Sequence, residues 1–201
     1  FGASVMSVVE GMASDEIDAV VIASLTDQHA DQAEAAAKAG KAIFCEKPVD
    51  LSMPRVEAVA DVLKAHPVPF MLGFNRRFDP NFATLKSQID AGAIGEVEMV
   101  TIMSRDPGPP PIPYIEASGG MFRDMMIHDL DIARWLVGEE FDTVNAVAAV
   151  HVDAEIGKAG DVDTAMVTMK TGTGKLVSIS NSRRASYGYD QRIEVHGSKG
   201  M

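Results

Sequence analysis

The sequence predicts an α/β plus α+β chain: a partial parallel sheet over residues 1–75, then a domain with a largely antiparallel sheet over residues 76–201. Three observations carry that expectation. In the first part, short continuous apolar runs alternate with helix-length patterns, as in parallel βαβ units covered on both faces. After Arg77 that alternation stops. Beyond Gly138 strand-like segments follow one another without intervening helices, which indicates antiparallel pairing.

The elements read in order as follows. Asp18 to Ala23 is a short β-rich run, and Gln28 to Ala39 an Ala-rich helix stopped by Gly40. Ala42 to Cys45 makes the next strand, Met53 to Ala65 a helix, and Val68 to Phe74 a third strand. Pro80 to Ala91 is helical, punctuated by Gly92 and Gly95, and Glu96 to Ser104 is a strand. The loop Asp106 to Pro113 carries five prolines and is expected to be stiff and extended, a rigid wall beside a pocket in preference to a proline-rich ligand for a partner domain. A helix through the 120s ends near Gly138. Strands follow at Thr143–Val152, Asp163–Lys170, Lys175–Asn181 and Gln191–Val195, with Thr171-Gly172-Thr173-Gly174 as a hairpin-type connection.

Composition excludes several classes of partner. The 201 residues carry a net charge of -11, which argues against nucleic acid or an anionic membrane surface as a partner. No apolar run approaches the ~20 residues that span a bilayer. The single cysteine, Cys45, lies in an apolar run and reads as a small buried hydrophobe, consistent with a reducing, cytoplasmic compartment. The chain opens without an initiator Met or a leader pattern and reads as the middle of a longer protein.

Ligands of open parallel sheets bind at the carboxyl ends of the strands. Ser24-Leu25-Thr26, Glu46-Lys47-Pro48 and Asn75-Arg76-Arg77 all fall at such ends. There Lys47 can offer a cation to a substrate oxygen or a cofactor, although read alone it is an ordinary surface lysine. Farther on, Gly119-Gly120-Met121-Phe122-Arg123-Asp124 runs into His128-Asp129-Leu130-Asp131. At ~100° per residue Asp124, His128 and Asp131 project within an arc of roughly 60°, among hydrophobes such as Met121, Ile127 and Trp135. A buried hydrogen-bonded Asp–His pair or a solvated face would give the same pattern. The functional reading takes His128 as a proton acceptor, because imidazole titrates near neutrality, with Asp124 as its partner. A lysine, a histidine and an orienting aspartate suit removal of an alcohol proton while hydride leaves the same carbon for a nicotinamide. A divalent metal on His128, Asp124 and Asp131 is the chemical competitor, but the other histidines are scattered, so no metal is assigned. Asp129 falls on the more apolar side of the helix and reads as structural. Tyr187 and Tyr189 bring hydroxyls near a strand start, where either packing or a substrate contact fits.

These stretches resemble the glucose–fructose oxidoreductase / inositol dehydrogenase / rhizopine-catabolism family over essentially the whole chain. The resemblance rests on Glu46-Lys47-Pro48 and on Gly119-Gly120 with Asp124 and His128. Three further stretches support it: Gly73 to Asp79, Ser104-Arg105-Asp106-Pro107, and Ser186 to Arg192. The inositol-oxidising branch is the most similar. The resemblance implies a partial Rossmann-type sheet followed by a substrate-binding and oligomerisation domain. It also implies oxidation of myo-inositol to a 2-keto inosose with NAD, by a homo-oligomer, a tetramer, in the cytoplasm. Carried over residue by residue, it makes Lys47, Asp124 and His128 catalytic. Arg76, Asp131 and Tyr187 become substrate contacts, and Thr26, His29, Glu46, Lys47 and Pro48 line the cofactor. The chain lacks the family's G-x-G-x-x-G turn, so NAD follows from the branch, and the chain alone is expected to hold the cofactor poorly. The competing expectation is a non-catalytic sugar-binding or assembly module; another cyclitol or a pyranose is the alternative substrate.

Overall fold

The computed structural model describes residues 2–201, which separate into two compact units, one ending at Phe74 and one beginning at Asn75.

The first unit contains α1 (Val8–Ala13), β1 (Ala19–Ile22), α2 (Thr26–Lys38), β2 (Ala42–Cys45), α3 (Met53–Ala65) and β3 (Phe70–Leu72). Helix α1 begins at a reciprocal cap: Glu10 N–H donates to Ser7 Oγ (3.2 Å) and Ser7 N–H to Glu10 Oε2 (2.7 Å). The three strands are parallel in the order β1-β2-β3, with Ile22, Cys45 and Leu72 in register. Helix α2 buries Ala30, Ala33, Ala36 and Ala37, small side chains that let its backbone lie close to its neighbours. Ile22, Ile43, Cys45 and Val59 complete this core; each fully buried aliphatic side chain contributes about 1.5–3 kcal/mol. Arg55 of α3 reaches Glu34 and Asp31 of α2.

The second unit opens with a 3₁₀ turn (Asn75–Phe78) and α4 (Pro80–Asp90), whose first turn is capped by Asp79 accepting from Asn81 N–H at 2.8 Å. There follow β4 (Val97–Arg105), α5 (Ile112–Ser118), a π-helical turn (Met121–Met125), α6 (Ile127–Val137), β5 (Phe141–Ala149), α7 (Ala154–Lys158), β6 (Thr164–Thr171), β7 (Leu176–Ser182) and β8 (Asp190–Gly197). The sheet order is β5-β6-β7-β4-β8. Pairing is antiparallel except between β4 and β7, which run parallel. The sheet is therefore mixed: β4 inserts between two strands that come late in the chain. One face, with Val100, Ile102, Val167, Met169, Val177 and Ile179, packs under Met121, Met125, Met126, Ile132, Ala133 and Leu136.

Two local expectations change. The proline loop is not extended throughout, because α5 starts at Ile112 with Pro111 as its N-cap residue and Pro113 in its first turn. A proline there forfeits no intrahelical hydrogen bond. The 120s segment is not one α-helix: Met121–Met125 winds as a π turn, with Met126 N–H donating to Met121 O at 2.8 Å, before α6 begins. The single 100° period across Asp124 and His128 accordingly fails, because Asp124 lies in the wider turn and His128 in α6.

Candidate functional site

The carboxyl edge of the first unit is built by the strand register. Glu46 N–H donates to Ile22 O (2.9 Å) and Gly73 N–H to Cys45 O (2.7 Å), so the turns after all three strands sit side by side. The Lys47–Pro48 peptide bond is cis. A Cβ on Gly73 would lie 3.1 Å from Glu46 Oε2, so glycine there leaves room for the Glu46 carboxylate. His29 of α2 is buried, with Nδ1 2.8 Å from Pro48 O and Nε2 3.1 Å from Ser24 O. Its ring therefore lies between the carbonyls of the Ser24–Thr26 turn and the Glu46–Pro48 turn. Thr26 and Lys47 are half-buried at that edge. The Cys45 thiol is pushed up to about 11, by burial first and by the Glu46 charge second, which makes it a poor nucleophile. The Thr26 hydroxyl, the Lys47 side chain and the first turn of α2 thus stand on the carboxyl edge of this sheet.

In the second unit the polar centre is Asp129 of α6, fully buried. Its carboxylate accepts from Arg76, from Ser104 Oγ of β4 (2.7 Å) and from Asn181 Nδ2 of β7 (2.7 Å). These bonds satisfy a charge that would otherwise be expensive to bury. Arg76 offers only donors, which orients the Gln191 amide with its oxygen 3.0 Å from Arg76 Nε and its nitrogen 3.2 Å from Tyr189 Oη. Two residues farther along α6, Asp131 holds Arg77 in a two-point bond (Nε to Oδ2 2.8 Å, Nη2 to Oδ1 2.5 Å), and the Arg77 guanidinium lies 5.7 Å from the Trp135 ring centre. Arg76 and Asp131 are thus each tied to a protein partner, and Tyr187 donates to Asp190 Oδ2 at 2.8 Å.

Asp124 and His128 are half-buried, the first in the π turn and the second in the opening turn of α6. Tyr114 of α5 donates to Asp124 Oδ1 at 3.0 Å. Its phenol is pushed up to about 12 by burial and then by the Asp124 charge, so it stays a donor across the physiological range. Asp106 lies just past β4, in a stretch whose sequence alone assigns it no role. Burial raises its pKa, the Arg183 and Arg76 charges work against that, and Asp124 and Asp129 add to it, so it belongs to the same electrostatic neighbourhood. Among the described residues no group of three His, Cys, Asp or Glu side chains could hold a metal ion.

A parallel βαβ sheet followed in the chain by an α+β unit is the element order of two-domain nicotinamide-dependent oxidoreductases. Residues 1–74 match the oxidoreductase family profile described as an NAD-binding Rossmann fold, and residues 82–201 match the GFO/IDH/MocA C-terminal domain. The chain belongs to the GFO/IDH/MocA family of oxidoreductases. It is 58% identical over 200 residues to the inositol 2-dehydrogenase of Rhizobium meliloti (strain 1021), covering 100% of this chain and 61% of that protein. The crystal structure of a myo-inositol dehydrogenase from Corynebacterium glutamicum superimposes with a TM-score of 0.92 at 46% identity, over 98% of this chain and 59% of that one. A scyllo-inositol dehydrogenase from Lactobacillus casei, solved with NAD(H) and scyllo-inositol bound, gives 0.88 at 34% identity, over 98% and 59%. The chain spans about three fifths of the length of these relatives.

Proposed function

We propose that the gene product carrying this chain is an NAD-dependent dehydrogenase of a cyclic polyol, oxidising a secondary hydroxyl of myo-inositol to the 2-keto inosose. The observation that carries this reading is the start of α6: a half-buried His128 directly after the π turn that bears Asp124, and next in sequence to Asp129, which binds Arg76. Similarity to enzymes named as inositol dehydrogenases supports the substrate class.

NAD, when bound, accepts the hydride from the carbinol carbon. His128 takes the hydroxyl proton, so that proton and hydride leave together and a C=O bond remains. Asp124 stabilises the imidazolium that forms, and Tyr114 keeps that carboxylate oriented through its phenol. Lys47 supplies the positive charge assigned to the reacting oxygen. Arg76, aimed by Asp129, serves as a donor to a ring hydroxyl. Asp131 and Tyr187 are assigned to other ring hydroxyls; each Asp131 oxygen keeps a lone pair beyond its bond to Arg77. Thr26, Glu46, Lys47 and Pro48 line the cofactor, and His29 lies between the two turns that carry them.

The reading also includes a homo-oligomer, a tetramer, working in the cytoplasm. The face of the second-unit sheet turned away from its core exposes Val147, Met166, Leu176 and Met99, a surface suited to a second copy. No helix among the described residues is long and apolar enough to cross a membrane.

The test is NADH formation by the full-length gene product from NAD and myo-inositol, with scyllo-inositol and glucose in parallel. Turnover on myo-inositol supports the reading. Activity confined to another sugar discards the substrate, and polyol binding without any turnover favours a binding module.

A further inference from the structure

The Gly119-Gly120 pair and the π turn after it meet a residue distant in sequence, Asp161. Gly119 ends α5 at φ 92°, and Gly120 follows at φ 68°, ψ −153°, a conformation open essentially to glycine alone. A Cβ on Gly120 would lie 2.5 Å from all three atoms of the Asp161 carboxyl group, so that carboxylate occupies the space the missing side chain leaves. From there both oxygens accept from the Met121 N–H, at 3.1 and 3.0 Å. Met121 is the first residue of the π turn and is fully buried. Behind the carboxylate stands Arg183, 1% exposed, with Nη2 3.8 Å from Asp161 Oδ2. The segment bearing Asp161 is itself fixed: Asp161 N–H donates to Ile156 O (3.1 Å), and Arg183 N–H to Asp163 O (2.8 Å).

We propose that Asp161, backed by Arg183, is a positioning residue: it clamps the first amide of the π turn and so fixes where Asp124 and His128 stand. The inference rests on the dehydrogenase reading above for its effect on catalysis, but the clamp itself is a property of the resting protein. As the first amide of a helical segment, the buried Met121 N–H has no acceptor within its own turn. The carboxylate satisfies it in the one place a glycine opens, and the segment then winds wide for a turn before α6 takes over. Asp124 rides on that wide turn, three residues beyond the clamped amide. A displacement of about 1 Å at a group acting on a proton in flight lowers turnover by about 100-fold and leaves substrate binding largely intact.

The experiment uses the full-length protein, Asp161→Ala and Asp161→Asn. Asparagine keeps the shape and one acceptor oxygen for the Met121 N–H. In Asp161→Ala, kcat on myo-inositol is expected to fall by about 100-fold while KM stays within about threefold, and Asp161→Asn should recover most of the loss. Amide hydrogen exchange on the resting protein is the second measurement. Residues 121–126 should lose protection in Asp161→Ala while the β6 and β7 amides keep theirs. Unchanged exchange at 121–126, or an equal loss of protection across the sheet, overturns the clamp. So does an unchanged kcat in Asp161→Ala. If the wild type turns over no polyol, the dehydrogenase reading falls, and the exchange result decides the clamp alone.

Discussion

The guanidinium of Arg76 is bonded from beneath by the carboxylate of Asp129, a group with no exposed surface that also ties β4 through Ser104 and β7 through Asn181. Four segments distant in sequence therefore share one charge. Removing that charge leaves a guanidinium, an amide and a hydroxyl without their acceptor. Asp129→Ala is expected to destabilise the protein by about 3–5 kcal/mol, and Asp129→Asn by less, because the amide keeps one acceptor. Urea denaturation measures both. A loss under about 1 kcal/mol for the alanine variant would mean that water replaces the network without penalty.

His128→Ala should lower kcat for polyol oxidation by about two to four orders of magnitude, the usual contribution of a positioned proton acceptor. Steady-state NADH formation reads this directly. A variant with near-wild-type turnover removes His128 from the role of base.

Tyr114 holds Asp124 by a single bond from α5. Tyr114→Phe removes that bond and nothing else of comparable size, so kcat should drop by about fivefold, the equivalent of roughly 1 kcal/mol. Because the phenol sits up at about 12, the wild-type rate should show no inflection from its ionisation below pH 10 or so. Equal rates for the two proteins would show that Asp124 is oriented by other contacts.

Asp163 gives a pH dependence with a definite sign. Burial works to raise its pKa, but backbone N–H groups of His151 (2.8 Å), Val152 (2.7 Å) and Asp153 (3.1 Å) and the Thr164 hydroxyl (3.0 Å) prevail and hold it below the usual aspartate range. Its folded value being depressed, the unfolded chain binds the extra proton first as pH falls. The stabilisation is thus complete above the ordinary value of about 3.9 and is lost as pH drops through the folded value. Acid denaturation followed by circular dichroism should show a flatter acid limb for Asp163→Asn than for the wild type. Identical limbs would rule Asp163 out as a source of acid lability.

What could be read from the chain followed from local physics. The strands Ala19–Ile22, Ala42–Cys45 and Phe70–Leu72 lie within their expected apolar runs, because an uninterrupted β-branched or aromatic stretch between helices has few alternatives. Asp129 is buried where the helical pattern turned apolar, and its partner is an arginine. Helix α1 was missed although its signal, Ser7 followed three residues later by Glu10, was present. The π turn had no local signal of its kind. Its first amide is held by a carboxylate 40 residues downstream at Asp161, which a periodicity argument cannot weigh. Likewise Arg183 and Asp106 acquire meaning only once β4, α5 and the 159–163 segment are together, and the parallel neighbour of β4 is set by topology rather than by any pattern within the strand.

That insertion of β4 between β7 and β8 has a consequence during synthesis. Both hydrogen-bonding edges of β4 belong to strands that leave the ribosome long after it: β7 begins at Leu176 and β8 ends at Gly197. With roughly ninety residues separating the end of β4 from the end of β8, the nascent strand waits on the order of ten seconds at ordinary elongation speeds. Through that interval Val97, Val100 and Ile102 stand on an unpaired strand, and an unpaired apolar strand is a template for foreign pairing. Slower decoding between Arg105 and Leu176 would lengthen the exposure, so the yield of soluble protein should depend on codon choice in that stretch more than in the stretch before Phe74.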